Sequence, residues 1–161
     1  MTETICPPRF IADVMLGRLA RWLRVLGYDT LYFTDMDDES LARRARVEDR
    51  ILLTRDVELA RRRGTRTVLL ADEQVEAQLH ALGESLHLSA NEAFSRCLNC
   101  NTPLVEFDHA QARDLVPPYV FATQTRFRRC TPCGKVYWRG THWAQMRAAL
   151  DSVDLDHAGA P

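Results

Sequence analysis

Short apolar runs alternate with amphipathic segments along the first half of the chain. Four apolar runs predict β-strands at residues 10–12, 31–34, 51–54 and 67–70. Apolar residues then recur at helical spacing after each run and predict helices over residues 15–26, 39–48, 57–63 and 73–82. Gly27, Gly64 and Gly83 follow three of these segments as expected C-terminal caps. Four strand-helix repeats predict an α/β fold, a parallel sheet flanked by helices on both faces.

The pattern changes after about residue 90. Prolines at positions 103, 117, 118 and 132 interrupt any helical period, and only residues 143–150 again show helical spacing. We therefore predict three regions: an α/β domain over residues 1–90, a small separate module over residues 91–150, and a flexible acidic tail over residues 151–161.

Length, apolar content and charge fit one globular domain with a compact appendage. The chain has 161 residues, of which 46% are hydrophobic, and its apolar runs are too short to span a bilayer. The N-terminus lacks the pattern of a secretory signal, so we expect a cytoplasmic protein without a membrane partner. The net charge of -1 is uneven, because residues 92–147 hold 8 basic and 4 acidic side chains. A basic second half is suited to a polyanionic ligand.

Four of the five cysteines form two Cys-x-x-Cys pairs. In a chain without a secretion signal this spacing favours metal ligation over disulfides. Four thiolates form a closed tetrahedral site, so the sequence predicts a structural zinc rather than a catalytic one, with iron as the alternative. The predicted ligands are Cys97, Cys100, Cys130 and Cys133.

An aspartate follows every predicted strand. Asp13, Asp35, Asp56 and Asp72 occupy these positions, and Asp37 and Asp38 crowd the same edge of the sheet. Carboxylates brought together there repel one another, and Mg²⁺ or Mn²⁺ relieves that repulsion while supplying the chemistry of phosphodiester hydrolysis. The alternative is structural, since each aspartate also precedes a helix, where Asp is a favoured N-cap.

Several segments together resemble one known family. They begin at Asp13-Val-Met-Leu-Gly-Arg18 and include Asp37-Asp-Glu-Ser-Leu41, Ile51-Leu-Leu-Thr-Arg-Asp56, Ser95-Arg-Cys-Leu-Asn-Cys100, Val116-Pro-Pro-Tyr-Val120 and Cys130-Thr-Pro-Cys133. The combination resembles the Mut-seven C-terminal family, a PIN-like ribonuclease domain fused to a zinc ribbon. The resemblance implies that Asp13, Asp38 and Asp56 are catalytic and hold Mg²⁺ or Mn²⁺. Asp37 and Asp72 are further candidate ligands.

Arginines near both candidate sites predict contacts with an RNA backbone. Arg18 lies one turn from Asp13, and Arg55 adjoins Asp56, where it meets either a phosphate or a neighbouring carboxylate. Arg24, on the same helix face as Arg18, is expected to be solvated. In the module, Arg126, Arg128 and Arg129 are candidate RNA ligands, interleaved with the aromatic residues Phe127, Tyr137, Trp138 and Trp143. The alternative is that these aromatics form the small core of the module.

The leading hypothesis is a metal-dependent ribonuclease that cuts single-stranded RNA endonucleolytically and needs no small-molecule cofactor. A catalytically inactive PIN-like adaptor that only binds RNA is the alternative. A phosphatase or receiver domain is disfavoured, because Met15 stands where those folds need a second carboxylate and the one lysine, Lys135, lies in the module.

Overall fold

The computed structural model describes residues 6–153 and residue 155. Most of the predicted acidic tail, residues 154 and 156–161, therefore lies outside the described residues. Within the described part of the chain, no helix is both long enough and apolar enough to cross a membrane.

A parallel four-stranded sheet forms the centre of the first half. Its strands are β1 (Phe10–Ala12), β2 (Thr30–Tyr32), β3 (Ile51–Thr54) and β4 (Thr67–Leu69). Their order is β2-β1-β3-β4, and every neighbouring pair is parallel. The predicted α/β fold is therefore confirmed, with β1 and β3 in the middle of the sheet.

Helices cover both faces of this sheet, as the alternation along the strands requires. The helices are α1 (Gly17–Val25), α2 (Asp38–Val47), α3 (Val57–Ala60) and α4 (Val75–Leu86). On one face, Phe10 and Ala12 of β1 pack in a core cluster with residues of α1 and α4. On the other face, Ile11 packs with residues of α2 and α3. The short 3-10 segment Val14–Leu16 joins β1 to α1.

The end of α4 differs from the sequence prediction. Gly83 does not end the helix, which continues to Leu86 and closes at His87 in the left-handed region, with φ of 53°. A Cβ built on Gly83 would lie 2.8 Å from Cδ2 of Leu155. Gly83 therefore does not cap the helix. Its lack of a side chain lets the C-terminal segment pack closely against α4.

The C-terminal segment packs into the main core beyond the predicted start of the tail. Helix α6 (Thr141–Ser152) is longer than the predicted 143–150. Leu150, Val153 and Leu155 are buried and belong to the same core cluster as α1 and α4. Val153 and Leu155 thus carry apolar side chains that hold this segment against the sheet domain.

The four-cysteine module has its own small antiparallel sheet and core. Its strands are β5 (Val105–Phe107), β6 (Phe127–Arg129) and β7 (Val136–Tyr137), in the order β5-β6-β7. The expectation that Pro117 and Pro118 exclude a helix is wrong, because α5 (Pro118–Thr123) begins at Pro118. Proline suits the first helical turn, where its missing N–H has no intrahelical partner.

Hydrogen bonds between side chains and backbone groups join the module to α1 and β2. Arg24 was expected to be solvated, but its Nη1 donates to Leu98 O at 2.8 Å and its Nε donates to Thr30 O at 3.0 Å. Arg96 Nε donates to Gly27 O at 2.9 Å, and the side-chain oxygen of Asn101 accepts from Thr30 N at 2.8 Å. The first cysteine pair is therefore held directly against the sheet domain.

Candidate functional site

The acidic edge is formed by the aspartates that follow the strands at their carboxyl ends. It includes the point where the order in which the chain adds strands to the sheet reverses. The chain passes from β1 to β2 on one side and then returns to β3 on the other side of β1. Ligands of open α/β sheets bind at such a switch point, beyond the carboxyl ends of the strands. Asp13 follows β1 and Asp56 follows β3, so these two candidates flank that crevice.

Asp13 carries a buried carboxylate that hydrogen bonds hold in one position. Its side chain is buried, with an exposed fraction of 6%. Val14 N donates to Oδ1 at 2.6 Å, and the Thr54 hydroxyl donates to Oδ2 at 2.8 Å. The Asp13 N–H in turn donates to Leu53 O at 2.9 Å, which ties the residue to β3. Each carboxylate oxygen has a second lone pair, so both can still accept from or ligate another group.

Thr54 links Asp13 to Asp56, a role that the sequence analysis missed. Its hydroxyl donates to Asp13 and accepts from Asp56 N at 2.9 Å, and the residue is fully buried. The Asp56 carboxylate caps α3, because its Oδ1 accepts from Glu58 N at 2.7 Å and from Leu59 N at 3.1 Å. The available signal was a polar Thr54 at the end of an otherwise apolar strand.

The remaining carboxylates of this edge are exposed. Asp37 caps α2, since it accepts from both the N–H and the hydroxyl of Ser40 at 2.9 Å, and these hydrogen bonds lower the pKa of Asp37. Asp38 is the first residue of α2 and is exposed. Asp72 accepts from Gln74 N at 2.8 Å. The capping interpretation is thus observed for Asp13, Asp37 and Asp56, whichever other role they have.

The structure does not assemble the acidic residues into a closed cage. Among the described residues, no three carboxylates bring ligand oxygens within 4.8 Å of one another, whereas the four cysteines do meet that distance. Mg²⁺ is commonly bound by one or two carboxylates and keeps several of its waters. Rigid Asp13, with Asp56 linked to it through Thr54, fits a largely hydrated ion of this kind.

The two arginines predicted at this edge differ in their surroundings. Arg18 is exposed on α1. Arg55 pairs with the carboxylate of Glu73, its Nη2 lying 2.9 Å from Oε1, as the alternative interpretation of this residue proposed. Arg55 Nε is shielded from solvent and has no hydrogen-bond partner. A donor without a partner therefore lies next to Asp56 in the chain.

The sulfur atoms of Cys97, Cys100, Cys130 and Cys133 lie close enough to share one metal ion. All four are within 4.8 Å of one another, and the Cys97 and Cys133 sulfurs are 3.8 Å apart. Tetrahedral zinc with bonds of about 2.3 Å places its sulfur ligands about 3.8 Å apart. The donor set and its spacing therefore fit Zn²⁺.

Both cysteine pairs use the same backbone turn. Asn101 N donates to Cys97 O at 2.9 Å, and Gly134 N donates to Cys130 O at 2.8 Å. Asn101 and Gly134 have φ values of 62° and 74°, in the left-handed region that Gly and Asn tolerate best. The repeat of the turn brings the two pairs into equivalent conformations around one centre.

Tyr137 supports the first cysteine pair. Burial opposes ionisation of Cys97, but hydrogen bonds from the Tyr137 hydroxyl and from backbone N–H groups lower the pKa of Cys97 to about 6. The same hydroxyl accepts from Leu98 N at 3.2 Å. A hydrogen bond to Cys133 and burial raise the pKa of Cys100 to about 12. Ionisation of Cys97 is thus favoured before that of Cys100.

A basic groove of about 620 Å³ runs between α1, the module and α6. Its wall contains six basic side chains, Arg21, Arg96, Arg126, Arg128, Lys135 and Arg139, and two carboxylates, Glu92 and Glu106. Arg126 and Arg128, two of the predicted RNA ligands, both pair with Glu106, at 3.4 and 3.3 Å.

Two other predicted residues of β6 face away from the groove. Arg129 places its guanidinium over the Phe107 ring, 5.1 Å from the centroid. Phe127 is buried in the core of the module, so the expectation that it stacks on bases is wrong. Successive residues of a strand alternate between faces, which separates this pair from Arg126 and Arg128.

Comparisons with known proteins identify the family of the chain. No curated protein and no solved structure matches it. The family described as the Mut7-C RNAse domain matches residues 8–150, which cover the acidic edge and all four clustered cysteines. A ribonuclease family implies RNA as the substrate. By this match, the chain belongs to the Mut7-C RNAse domain family.

Proposed function

We propose that this protein is a metal-dependent ribonuclease that hydrolyses phosphodiester bonds of single-stranded RNA at Asp13, Asp38 and Asp56. The observation that supports the proposal most is the hydrogen-bonded unit of Asp13, Thr54 and Asp56 at the switch point of the sheet. Burial of a carboxylate is costly, and Asp13 keeps lone pairs free for a cation in addition to its cap of the 3-10 segment and its hydrogen bond from Thr54.

Each residue of the edge then has a separate task. Mg²⁺ or Mn²⁺ bound there supplies an activated water and neutralises charge that develops on the phosphate. Asp13 is the principal ligand, because two donors fix its carboxylate before the ion arrives. Asp38 and Asp56 complete the acidic set, and exposed Asp37 and Asp72 are further candidates. Arg18 and Arg55 are placed to contact the incoming phosphate.

In this proposal the zinc site has a folding role. Four thiolates leave no open position on the metal, so the zinc ribbon contributes stability and a surface rather than chemistry. Arg126 and Arg128 are the proposed RNA contacts of that surface, whereas Arg129, the third predicted contact, lies over the Phe107 ring on the opposite face of β6. We also propose the cytoplasm as the compartment, because Cys-x-x-Cys pairs that bind a metal as thiolates are typical of a reducing environment.

The second candidate function is an inactive RNA-binding adaptor. One observation favours it: the acidic oxygens are not gathered within metal-ligand distance of one another in the described chain, and Asp37 and Asp56 already serve as helix caps. The two functions share an RNA-binding surface and differ only in cleavage.

A cleavage assay on labelled linear single-stranded RNA separates the two candidates. Zinc-loaded wild-type protein, Asp13→Asn and Asp56→Asn are compared with and without added Mn²⁺. The ribonuclease proposal expects Mn²⁺-dependent cleavage by wild type and loss of cleavage in both variants, with far-ultraviolet circular dichroism unchanged. RNA binding without cleavage by wild type supports the adaptor, and full activity in both variants contradicts the proposed site.

A further inference from the structure

The basic groove has an excess of positive charge. Six basic and two acidic side chains line it. Arg96 is engaged within the fold, because it donates to Gly27 O and Asn101 O. Arg21 is exposed on α1, and Lys135 and Arg139 are exposed on the module. A concave wall with a net positive charge concentrates a polyanion.

The groove also presents aromatic rings to its interior. Tyr119 is the most exposed of them, with an exposed fraction of 72%, and it follows the rigid Pro117-Pro118 pair at the start of α5. Trp143 packs against Phe94 with ring centroids 5.1 Å apart, and Arg139 lies over the Trp143 ring. Aromatic rings beside cations bind unpaired bases by stacking on their faces. The faces of bases inside a duplex are already stacked on neighbouring bases and are not accessible to such rings.

We propose that the basic groove binds an unpaired segment of RNA, with bases stacked on Tyr119 and phosphates held by Arg21, Arg126 and Arg128. The identity of the ligand rests on the proposed ribonuclease function. The groove is distinct from the acidic edge and is built from three parts of the chain, so it is more than a surface of the zinc ribbon alone.

Helix α1 connects the groove to the acidic edge. Asp13 lies just before the N-terminal end of this helix, Arg18 follows on its exposed surface, and Arg21 lines the groove. Arg21 is eight positions after Asp13, which corresponds to about 12 Å along a helix axis. A strand bound in the groove can therefore extend along α1 and present a phosphate further along the strand to the acidic edge.

Glu106 occupies the place where a phosphate would bind. Its Oε1 accepts from Arg126 Nη2 and from Arg128 Nε, and it lies opposite Arg128 in the β5–β6 ladder. An incoming phosphate takes over both guanidinium groups and releases Glu106 to solvent. Removing the charge of Glu106 should therefore strengthen RNA binding, because it removes a repulsive carboxylate and frees the guanidinium groups of Arg126 and Arg128 for phosphate.

The test measures binding without cleavage. The host is zinc-loaded Asp13→Asn protein, and fluorescence anisotropy reports binding of an unstructured labelled RNA and of the same RNA annealed to its complement. Three changes are made in the groove: Tyr119→Ala, Arg21→Ser with Arg126→Ser, and Glu106→Gln. Tyr119→Phe retains a stacking ring, and Arg43→Ser with Arg62→Ser removes two exposed arginines elsewhere as the matched charge control.

The expected results differ in kind between the variants. Tyr119→Ala weakens binding of the single strand by about fivefold or more, while Tyr119→Phe binds like the host. The double arginine change lowers the logarithmic salt slope by about 1.4, compared with no change in the control pair. Glu106→Gln binds roughly two- to fivefold more tightly. The duplex binds more weakly than the single strand and is insensitive to Tyr119→Ala.

Several results would overturn the inference. One is equal binding of RNA by the host and the groove variants, and another is a duplex bound as tightly as the single strand. A third is a polyglutamate probe that binds as tightly as the RNA and is equally sensitive to Tyr119→Ala, which would make the groove a site for acidic polypeptides. Failure of the proposed function is seen separately, as absence of cleavage by wild type, and it leaves these binding results unaffected.

Discussion

Replacement of Thr54 by valine tests the link between the two central strands. The Thr54 hydroxyl donates to the buried Asp13 carboxylate at 2.8 Å and accepts from Asp56 N at 2.9 Å. Valine has nearly the same shape, so the change removes these hydrogen bonds without opening a cavity. A hydrogen bond to a charged group contributes about 1.5–3 kcal/mol to the free energy of unfolding, and a buried carboxylate that loses its donor destabilises the fold by a similar amount.

We therefore expect Thr54→Val to lower the free energy of unfolding by about 2–3 kcal/mol. In a chain of this size that corresponds to a fall in Tm of about 4–12 °C. Urea denaturation of zinc-saturated protein is the assay, and Thr54→Ser, which keeps the hydroxyl, is the control. Cleavage in Mn²⁺ should fall about 10- to 100-fold in Thr54→Val, as for other residues that orient a metal ligand. Equal unfolding free energies of Thr54→Val and wild type would refute this account of Asp13.

Three further predictions concern other parts of the molecule. Burial opposes ionisation of Asp29, but hydrogen bonds from Arg50 and Asn101 lower its pKa, so its contribution to stability is lost as the pH falls below about 4. Urea titrations should show that the free energy of unfolding of Asp29→Asn depends less on acid pH than that of wild type, and an identical pH dependence would contradict the assignment. Gly83→Ala should fail to give the usual gain of about 1 kcal/mol for a helix, because its Cβ meets Leu155; a gain of that size on denaturation would mean that Leu155 is not docked. Cys130→Ser should abolish zinc binding, and metal analysis that finds unchanged zinc would reject the four-thiolate site.

Local patterns were sufficient to predict the strands of the sheet domain. Short apolar runs predicted all four strands within one or two residues, and Gly27 ends its helix with a φ of 94°, as the sequence indicated. The cap predicted at Gly64 was wrong, because α3 already ends at Ala60. The aspartates after β1 and β3 were placed at one edge because parallel strands end together. The cysteine spacing likewise predicted the cluster that the structure forms. These features depend on periodicity or on chain neighbours.

Features that depend on distant partners were not predictable from the sequence. Gly83 was expected to end α4, but its small size accommodates Leu155, which is 72 positions away in the chain. Arg24 looked like one of many exposed helix cations, and only the docking of the cysteine module shows that its guanidinium binds the Leu98 carbonyl. The basic groove combines α1, the module and α6, so its shape follows from their packing rather than from any single motif.

The central claim is that this chain cuts RNA endonucleolytically at a metal site centred on Asp13. Its most direct test is incubation of zinc-loaded protein and Mn²⁺ with a labelled circular single-stranded RNA, which has no ends for an exonuclease. Asp13→Asn is compared with Asp114→Asn, the same change at an exposed carboxylate outside the acidic edge. We predict that wild type and Asp114→Asn open the circle and that Asp13→Asn does not. An intact circle after wild-type treatment, or equal opening by Asp13→Asn, would contradict the claim.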